Sequence, residues 1–153
     1  VAGAGAFAIQ SFGDATTPFV ILPVTNNTGI GTTSPNELLE VNGNTRIDGR
    51  LLQSKSSNSI TAANDLTLNA DGNTFVISGN TQINAITTNG WRSGSVVYLI
   101  FSGTPTVKHD TAGGVGTATL LLSGSVDLTA AANTVLTLVY DGTNWQEVSR
   151  KAA

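Results

Sequence analysis

Residues 71–81 read DGNTFVISGNT, a short apolar–polar segment between two copies of an x-G-N-T unit. A third copy, NGNT, occupies residues 42–45, and similar alternation continues in residues 82–84. Asn-Gly and Asp-Gly pairs favour hairpins and corners because both residues tolerate positive φ. The pattern therefore predicts very short strands separated by frequent turns.

Strands this short cannot build a core on their own, because each one buries about one apolar side chain. That burial does not offset an ordering entropy of about 1–2 kcal/mol per residue. Stacked turns of one chain, or three chains wound around one axis, would pool these apolar positions. Residues 29–90 are accordingly predicted to form a repetitive β-shaft, and the sequence leaves a triple-stranded β-helix and a short β-solenoid both open.

The composition of the 153-residue chain indicates an all-β fold. Thr, Asn, Ser and Gly together account for 66 residues, whereas charged residues make up only 11% of the chain. These small residues are poor in helix interiors, while Thr suits strands and Gly and Asn suit turns. The composition argues against a helical bundle, an α/β nucleotide-binding domain and a coiled coil.

Charge and hydropathy argue against two classes of partner. The net charge is −3 and the seven Lys and Arg residues are scattered, so no basic face for nucleic acid is predicted. The longest apolar runs, residues 19–24 and 96–101, are far shorter than a membrane span, and no membrane insertion is expected. Because Cys is absent, disulfides, thiolate chemistry and Cys-based zinc sites are excluded. Met is absent even at position 1, which suggests a processed chain or a fragment.

The regions on either side of the predicted shaft differ in character. Residues 1–28 are small and apolar, with one short strand at residues 19–22, and predict an extended arm that lies along another protein. Residues 91–153 hold five of the nine aromatic residues and predict a compact, sandwich-like β cap. Within the cap, residues 135–140 and 145–149 are predicted to form a hairpin joined by the loop DGTN.

Two stretches resemble a known group of proteins. Residues 28–43, TGIGTTSPNELLEVNG, resemble the GIGTTxP…LxVNG motif of bacteriophage tail fibres, tail spikes and other phage appendages. Residues 140–150, YDGTNWQEVSR, are similar to the ending of many tail-spike and fibre proteins. The resemblance implies a homotrimer on the outside of the virion, with a β-structured shaft followed by a trimeric cap. In that arrangement, residues 1–28 would attach to another virion protein.

No catalytic residue, cofactor site or metal ligand is predicted. His109 and its neighbour Asp110 would point to opposite faces of a strand, and no G-x-S-x-G turn seats a nucleophile. A single histidine also provides no His-x-His pair for a metal on a trimer axis. Appendages with enzymatic activity carry a long β-helix with catalytic carboxylates before such an ending, and this chain has no room for one. The prediction is an architectural role and not a depolymerase.

Four residues are candidates for contact with a host cell-surface glycan. The indole faces of Trp91 and Trp145 could stack on a pyranose ring, although packing in the cap is the favoured interpretation of both. Asp110 and Asn144 lie in predicted loops, where recognition on a β scaffold is expected. The sequence predicts a structural subunit of a tail fibre or similar projection that contributes to host attachment. The alternatives are a capsid-mounted head fibre or decoration protein and a glycan-binding, receptor-recognition module.

Overall fold

The computed structural model describes Gly5, the backbone of Phe7–Ile9, and residues 19–153. Half of the predicted attachment arm, residues 1–28, lies outside the described residues. The described part of the chain is all-β, as predicted from the composition. Its one helical element is a short 3₁₀ turn at Ser123–Ser125.

The first of two compact units, residues 1–51, contains one four-stranded sheet. Its strands, adjacent in chain order, are β1 (Phe7–Ile9), β2 (Phe19–Ile21), β3 (Thr28–Ile30) and β4 (Leu39–Val41). The first three strands are antiparallel, whereas β4 runs parallel to β3. The short strand expected at residues 19–22 is observed as β2.

The TGIGTTSP motif forms a tightly packed part of this sheet. Val20 of β2 is fully buried and pairs with Gly29 of β3. A Cβ atom on Gly29 would lie 2.5 Å from the Thr32 carbonyl oxygen and 2.9 Å from Val20 Cγ1, so glycine is required there. Gly31 has a φ of 69°, in the left-handed region that glycine adopts without strain. Both glycines of the motif thus have a structural role.

The second unit, residues 52–153, contains eight strands in one curled sheet and two strands in a separate pair. The strands are β5 (Ile60–Thr61), β6 (Asp65–Leu66), β7 (Thr74–Ser78), β8 (Ala85–Thr87), β9 (Val96–Phe101), β10 (Thr106–Val107), β11 (Thr117–Leu121), β12 (Leu128–Thr129), β13 (Val135–Tyr140) and β14 (Trp145–Lys151). The order in the large sheet is β5-β7-β9-β13-β14-β11-β8-β6, and β10 pairs with β12. Strands from both sides of the predicted boundary at residue 90 therefore share one sheet.

Short strands stack in parallel in the first half of this unit. The chain alternates between the two ends of the large sheet, so that β5, β7 and β9 are parallel at one end and β6 and β8 at the other. Ile60, Ile77 and Phe101 occupy one row across the first three of these strands. Successive passes of the chain thereby pool the few apolar side chains that each short strand contributes.

Glycine allows the segments that follow β7 and β9 to approach closely. Gly79 belongs to one of the x-G-N-T units and follows β7 with a φ of 78°. Gly103 follows β9, and a Cβ atom on it would lie 1.9 Å from the Gly79 carbonyl oxygen. No other residue fits at position 103 without displacing the neighbouring backbone.

The second half of the unit closes the sheet with longer strands. β13 is antiparallel to β9 and to β14, and the pair β13–β14 is the hairpin predicted around the loop DGTN. β11 runs antiparallel to β8 and parallel to β14. The core lies against the inner face of the sheet, and its largest fully buried side chains are Trp145, Phe75, Phe101, Leu66, Ile77, Ile83, Ile86, Leu99, Leu120, Leu136 and Leu138.

Candidate functional site

The loop of the β13–β14 hairpin is held by its own polar groups. One carboxylate oxygen of Asp141 accepts hydrogen bonds from the backbone N–H groups of Thr143 and Asn144, both at 2.7 Å. The other oxygen accepts a hydrogen bond from the Gln146 amide at 2.7 Å. These bonds, with that from Asn144 foremost, lower the pKa of Asp141. Asp141 therefore closes a turn, and both of its oxygens are occupied within the chain.

Asn144, a candidate glycan contact, is half-buried and holds this loop against a neighbouring strand. Its side-chain oxygen accepts a hydrogen bond from the Thr119 hydroxyl of β11 at 2.9 Å. Its backbone carbonyl accepts one from the Asp141 N–H at 3.0 Å. The side-chain oxygen that a glycan hydroxyl would contact is thus already hydrogen-bonded to the protein.

Trp145, the second candidate, is fully buried at the start of β14. Its ring centroid lies 5.1 Å from that of Tyr140 and 5.6 Å from that of Trp91. The Tyr140 hydroxyl donates a hydrogen bond to the Gly142 carbonyl at 2.9 Å, which fixes the ring at the base of the loop. Neither face of the Trp145 indole is exposed, so no sugar ring can stack on it in this structure. Its N–H has no hydrogen-bond partner among the residues that the structure describes.

Trp91, the third candidate, lies in the loop between β8 and β9 and is half-buried. It makes edge-to-face contacts with Phe75 at 6.2 Å and with Trp145 at 5.6 Å. Its backbone N–H donates to the Thr88 carbonyl at 3.0 Å. Packing on the core is thus its main contact, while part of its surface stays exposed for a ligand.

Asp110, the fourth candidate, is exposed and lies in a loop with a φ of 42°. Its backbone N–H donates to the Leu120 carbonyl of β11 at 2.9 Å. The preceding residue, His109, accepts a hydrogen bond at Nδ1 from the Leu122 N–H at 3.0 Å. The imidazole therefore holds the backbone of a loop, an arrangement that the isolated motif in the sequence did not predict.

The side chain of Asp127 stabilises the same loop. Asp127 forms an ion pair with Lys108 and accepts a hydrogen bond from the His109 backbone N–H at 2.9 Å. The Lys108 hydrogen bond is the main cause of a lowered pKa of Asp127, followed by the hydrogen bond from His109. Lys108 and Asp127 are thus paired with each other, as expected for a structural contact.

The structure brings the four candidates only partly together. Trp91 and Trp145 are in direct contact, and Asn144 precedes Trp145 in the chain. Asn144 and Asp110 reach β11 at the adjacent residues Thr119 and Leu120. Of the four candidates, Trp91 and Asp110 combine exposure with a group suited to a glycan that is free of hydrogen bonds to the described residues.

Metal and membrane sites are not supported by the described part of the chain. Across Gly5, Phe7–Ile9 and residues 19–153, no group of three or more His, Cys, Asp or Glu side chains could hold a metal ion. Within the same residues, no helix has the length and apolar character needed to cross a membrane.

Residues 42–54, called here the exposed segment, are a feature that the sequence analysis missed. All of these residues are exposed, and they contain no strand. Three of them are large and apolar: Ile47 is 52% exposed, Leu51 67% and Leu52 84%. Large apolar side chains clustered in this way mark an interaction surface more often than chance exposure does. The signal in the sequence is the run RIDGRLLQ, where apolar residues recur between charged ones.

The backbone of the exposed segment is also unpaired. From Gly43 to Gln53, no backbone group forms a backbone hydrogen bond to any residue that the structure describes. The flanking residues Asn42 and Ser54 do form such bonds, with Ile30 and Asn73 respectively. Unpaired backbone groups together with exposed apolar side chains are what an intermolecular strand requires.

Comparisons with models of protein families, with curated proteins and with solved structures found no match to this chain.

Proposed function

We propose that this chain is a structural subunit of a homotrimeric bacteriophage appendage, a tail fibre or a similar virion projection. The proposed role is mechanical: three chains share a core that part of each chain lacks alone, and the resulting rigid rod contributes to host attachment. The resemblance of residues 28–43 and 140–150 to phage appendage motifs supports this role.

The exposed segment is the observation that carries the proposal. Burying a Leu or Ile side chain stabilises a protein by about 1.5–3 kcal/mol. Leu51 and Leu52 forgo that stabilisation in the single chain, and so do Leu38 and Leu39, which are 72% and 60% exposed. Three copies aligned along this segment would bury these side chains and pair the free backbone groups at the same time. An isolated chain can do neither.

In the proposed assembly, residues 29–90 contribute to the shaft and residues 91–153 to the cap. The exposed segment would form the interchain part of the shaft, as in a triple-stranded β-helix. The strands β5 to β8 would contribute a short solenoid within each chain. Residues 1–28 would connect the trimer to another virion protein, on the tail or, in a head fibre, on the capsid.

The molar mass of the isolated chain in solution tests this proposal. Light scattering is expected to give three times the chain mass of 15.6 kDa. Because interchain β-pairing resists detergent, a band of the same mass is expected on an SDS gel without boiling, and a single-chain band after boiling. A monomeric mass at all concentrations would contradict the proposal.

A glycan-binding, receptor-recognition module is the second candidate, favoured by the exposed part of Trp91. A glycan array probed with the full chain tests it, with Trp91→Ala as the variant. Loss of a glycan signal in the variant, with an unchanged unfolding temperature, would support this function. An array without any signal would contradict it and leave the structural role unaffected.

A further inference from the structure

The strands β7, β9 and β13 carry a second set of apolar side chains, on the face opposite to the core. Side chains alternate along a strand, so those between the buried positions point outward. The outer apolar face is defined by six such residues: Val76, Val96, Tyr98, Ile100, Val135 and Val139. All six retain solvent exposure, which reaches 37% at Tyr98.

The pairing registers place these residues next to one another. Val76, Ile100 and Val135 lie in one row across the three strands. Val96 and Val139 lie opposite each other in a second row. Tyr98 lies between the two rows, flanked in the sheet by threonines at positions 74 and 137. The outer apolar face is therefore continuous and is not a scatter of single residues.

Charged groups lie only at the margins of this face. Glu147 and Arg150 of the adjacent strand β14 are in register with the buried Leu138 and Leu136, and so point to the inner side. There they pair with each other. Two lysines lie at the margins of the face: Lys151 of β14 beside Val135, and Lys55, which pairs with Thr74 of β7. A sheet face in contact with water normally carries polar residues, so this one has the composition of an interface.

We infer that the outer apolar face is a contact surface for further copies of this chain, turned toward the common axis of the assembly. The inference rests on the proposed function, since it names the surface by which the second units associate. Each copy carries a net charge of −3, so copies repel one another least where they approach through an uncharged face. Sheet faces rich in β-branched residues also pack against one another, at about 10 Å.

The size of the face explains why it would act together with the exposed segment. The three strands, spaced by about 4.8 Å, over about five residues at 3.3 Å each, cover about 240 Å² per copy. A stable interface buries about 800 Å² per partner. The outer apolar face alone thus supports a weak association, which a second contact between the same copies must complete.

The experiment measures the molar mass of the full chain by light scattering over a range of concentrations. Ile100→Lys places a charge in the middle of the outer apolar face, and Tyr98→Lys does so at its most exposed position. We expect either variant to raise the concentration for half-dissociation at least tenfold. Val126→Lys is the matched control, because Val126 is 59% exposed and lies outside the face. Its assembly should equal that of the wild type.

The outcomes separate this inference from the proposed function. A wild-type trimer that persists in both lysine variants would overturn the inference and leave the proposed function standing. A wild-type dimer that both variants dissociate would support the contact surface and overturn the trimer. A wild-type monomer would overturn both. Thermal unfolding of each variant checks its fold, and Tyr98→Lys replaces a side chain that is already partly exposed should Ile100→Lys fail to fold.

Discussion

In residues 52–153 the apolar side chains of the large sheet meet in one core, whereas in the described part of residues 1–51 the single fully buried large apolar side chain is Val20. Both regions use short strands and glycine-containing turns, so local sequence does not account for the difference. The second unit has its own core because its stacked strands bury one another's apolar side chains. The first unit leaves leucine and isoleucine side chains exposed to water. On the proposed function, other copies of the chain would bury these side chains.

The strongest test of this comparison is the double variant Leu51→Ser/Leu52→Ser. Because neighbouring side chains on a strand point to opposite faces, the trimer would lose at least three buried leucine side chains, each contributing about 1.5–3 kcal/mol, so assembly should be lost. Light scattering should then report a monomer at concentrations where the wild type is a trimer. Gln53→Ser, in the same exposed segment, is the control and should leave the mass unchanged. A trimeric double variant would show that the segment is not an interface.

Within the complete unit, Trp145→Ala should have the largest effect of any single substitution. It removes a fully buried aromatic side chain that contacts Tyr140 and Trp91, and such changes cost about 3–5 kcal/mol. Urea unfolding followed by far-UV circular dichroism measures the loss. Val115→Ala changes a fully exposed side chain and should shift the stability by less than about 0.5 kcal/mol. Equal losses of stability in Trp145→Ala and Val115→Ala would contradict the assignment of Trp145 to the core.

Two glycine-to-alanine substitutions compare the packed backbone of the second unit with the exposed segment. Gly103→Ala would place a Cβ atom 1.9 Å from the Gly79 carbonyl oxygen, so β7 and β9 would have to separate, at a cost of about 1–3 kcal/mol. Gly49→Ala, in the exposed segment, meets no atom within 4 Å and should not destabilise the single chain. The difference in urea midpoint between these variants is the measurement. An unchanged urea midpoint for Gly103→Ala would contradict the close packing of the segments that follow β7 and β9.

The smallest expected effect is the loss of folding stability at acidic pH. Hydrogen bonds from Ser57, Lys108 and Asn144 respectively lower the pKa values of Asp71, Asp127 and Asp141 below the ordinary 3.8. A carboxylate with a lowered folded-state pKa stabilises the fold above its ordinary pKa, and that stabilisation is lost as the pH falls through the folded value.

Unfolding temperatures are therefore expected to stay level from neutral pH to about pH 5 and to fall below about pH 4. The variant Asp127→Asn removes one of the three groups and should show a shallower decline. A stability that rises on acidification would contradict the assigned hydrogen bonds.

Local signals predicted the elements that depend on neighbours in sequence. The loop DGTN produced the expected hairpin because Asp141 and Gly142 satisfy the turn themselves. The all-β fold followed in the same way from the composition.

Long-range pairing could not be predicted in the same way. The unit DGNT at residues 71–74 leads into β7, whereas the similar unit NGNT at residues 42–45 leads into no strand. A strand forms at the first because β5 and β9 lie on either side of it, and such partners are invisible in the local pattern. For the same reason, the sequence offered Trp145 both as a glycan contact and as a core residue.

The position of β14 between β13 and β11 bears on how the second unit would respond to mechanical force. A pull on the end of β14 loads the hydrogen bonds to two neighbours at once, so that they must break together in shear. β5, at one end of the sheet order, is a two-residue edge strand with one neighbour and can peel away bond by bond. Tension along this unit would thus be borne at its carboxyl-terminal strand and released first at residues 60–61.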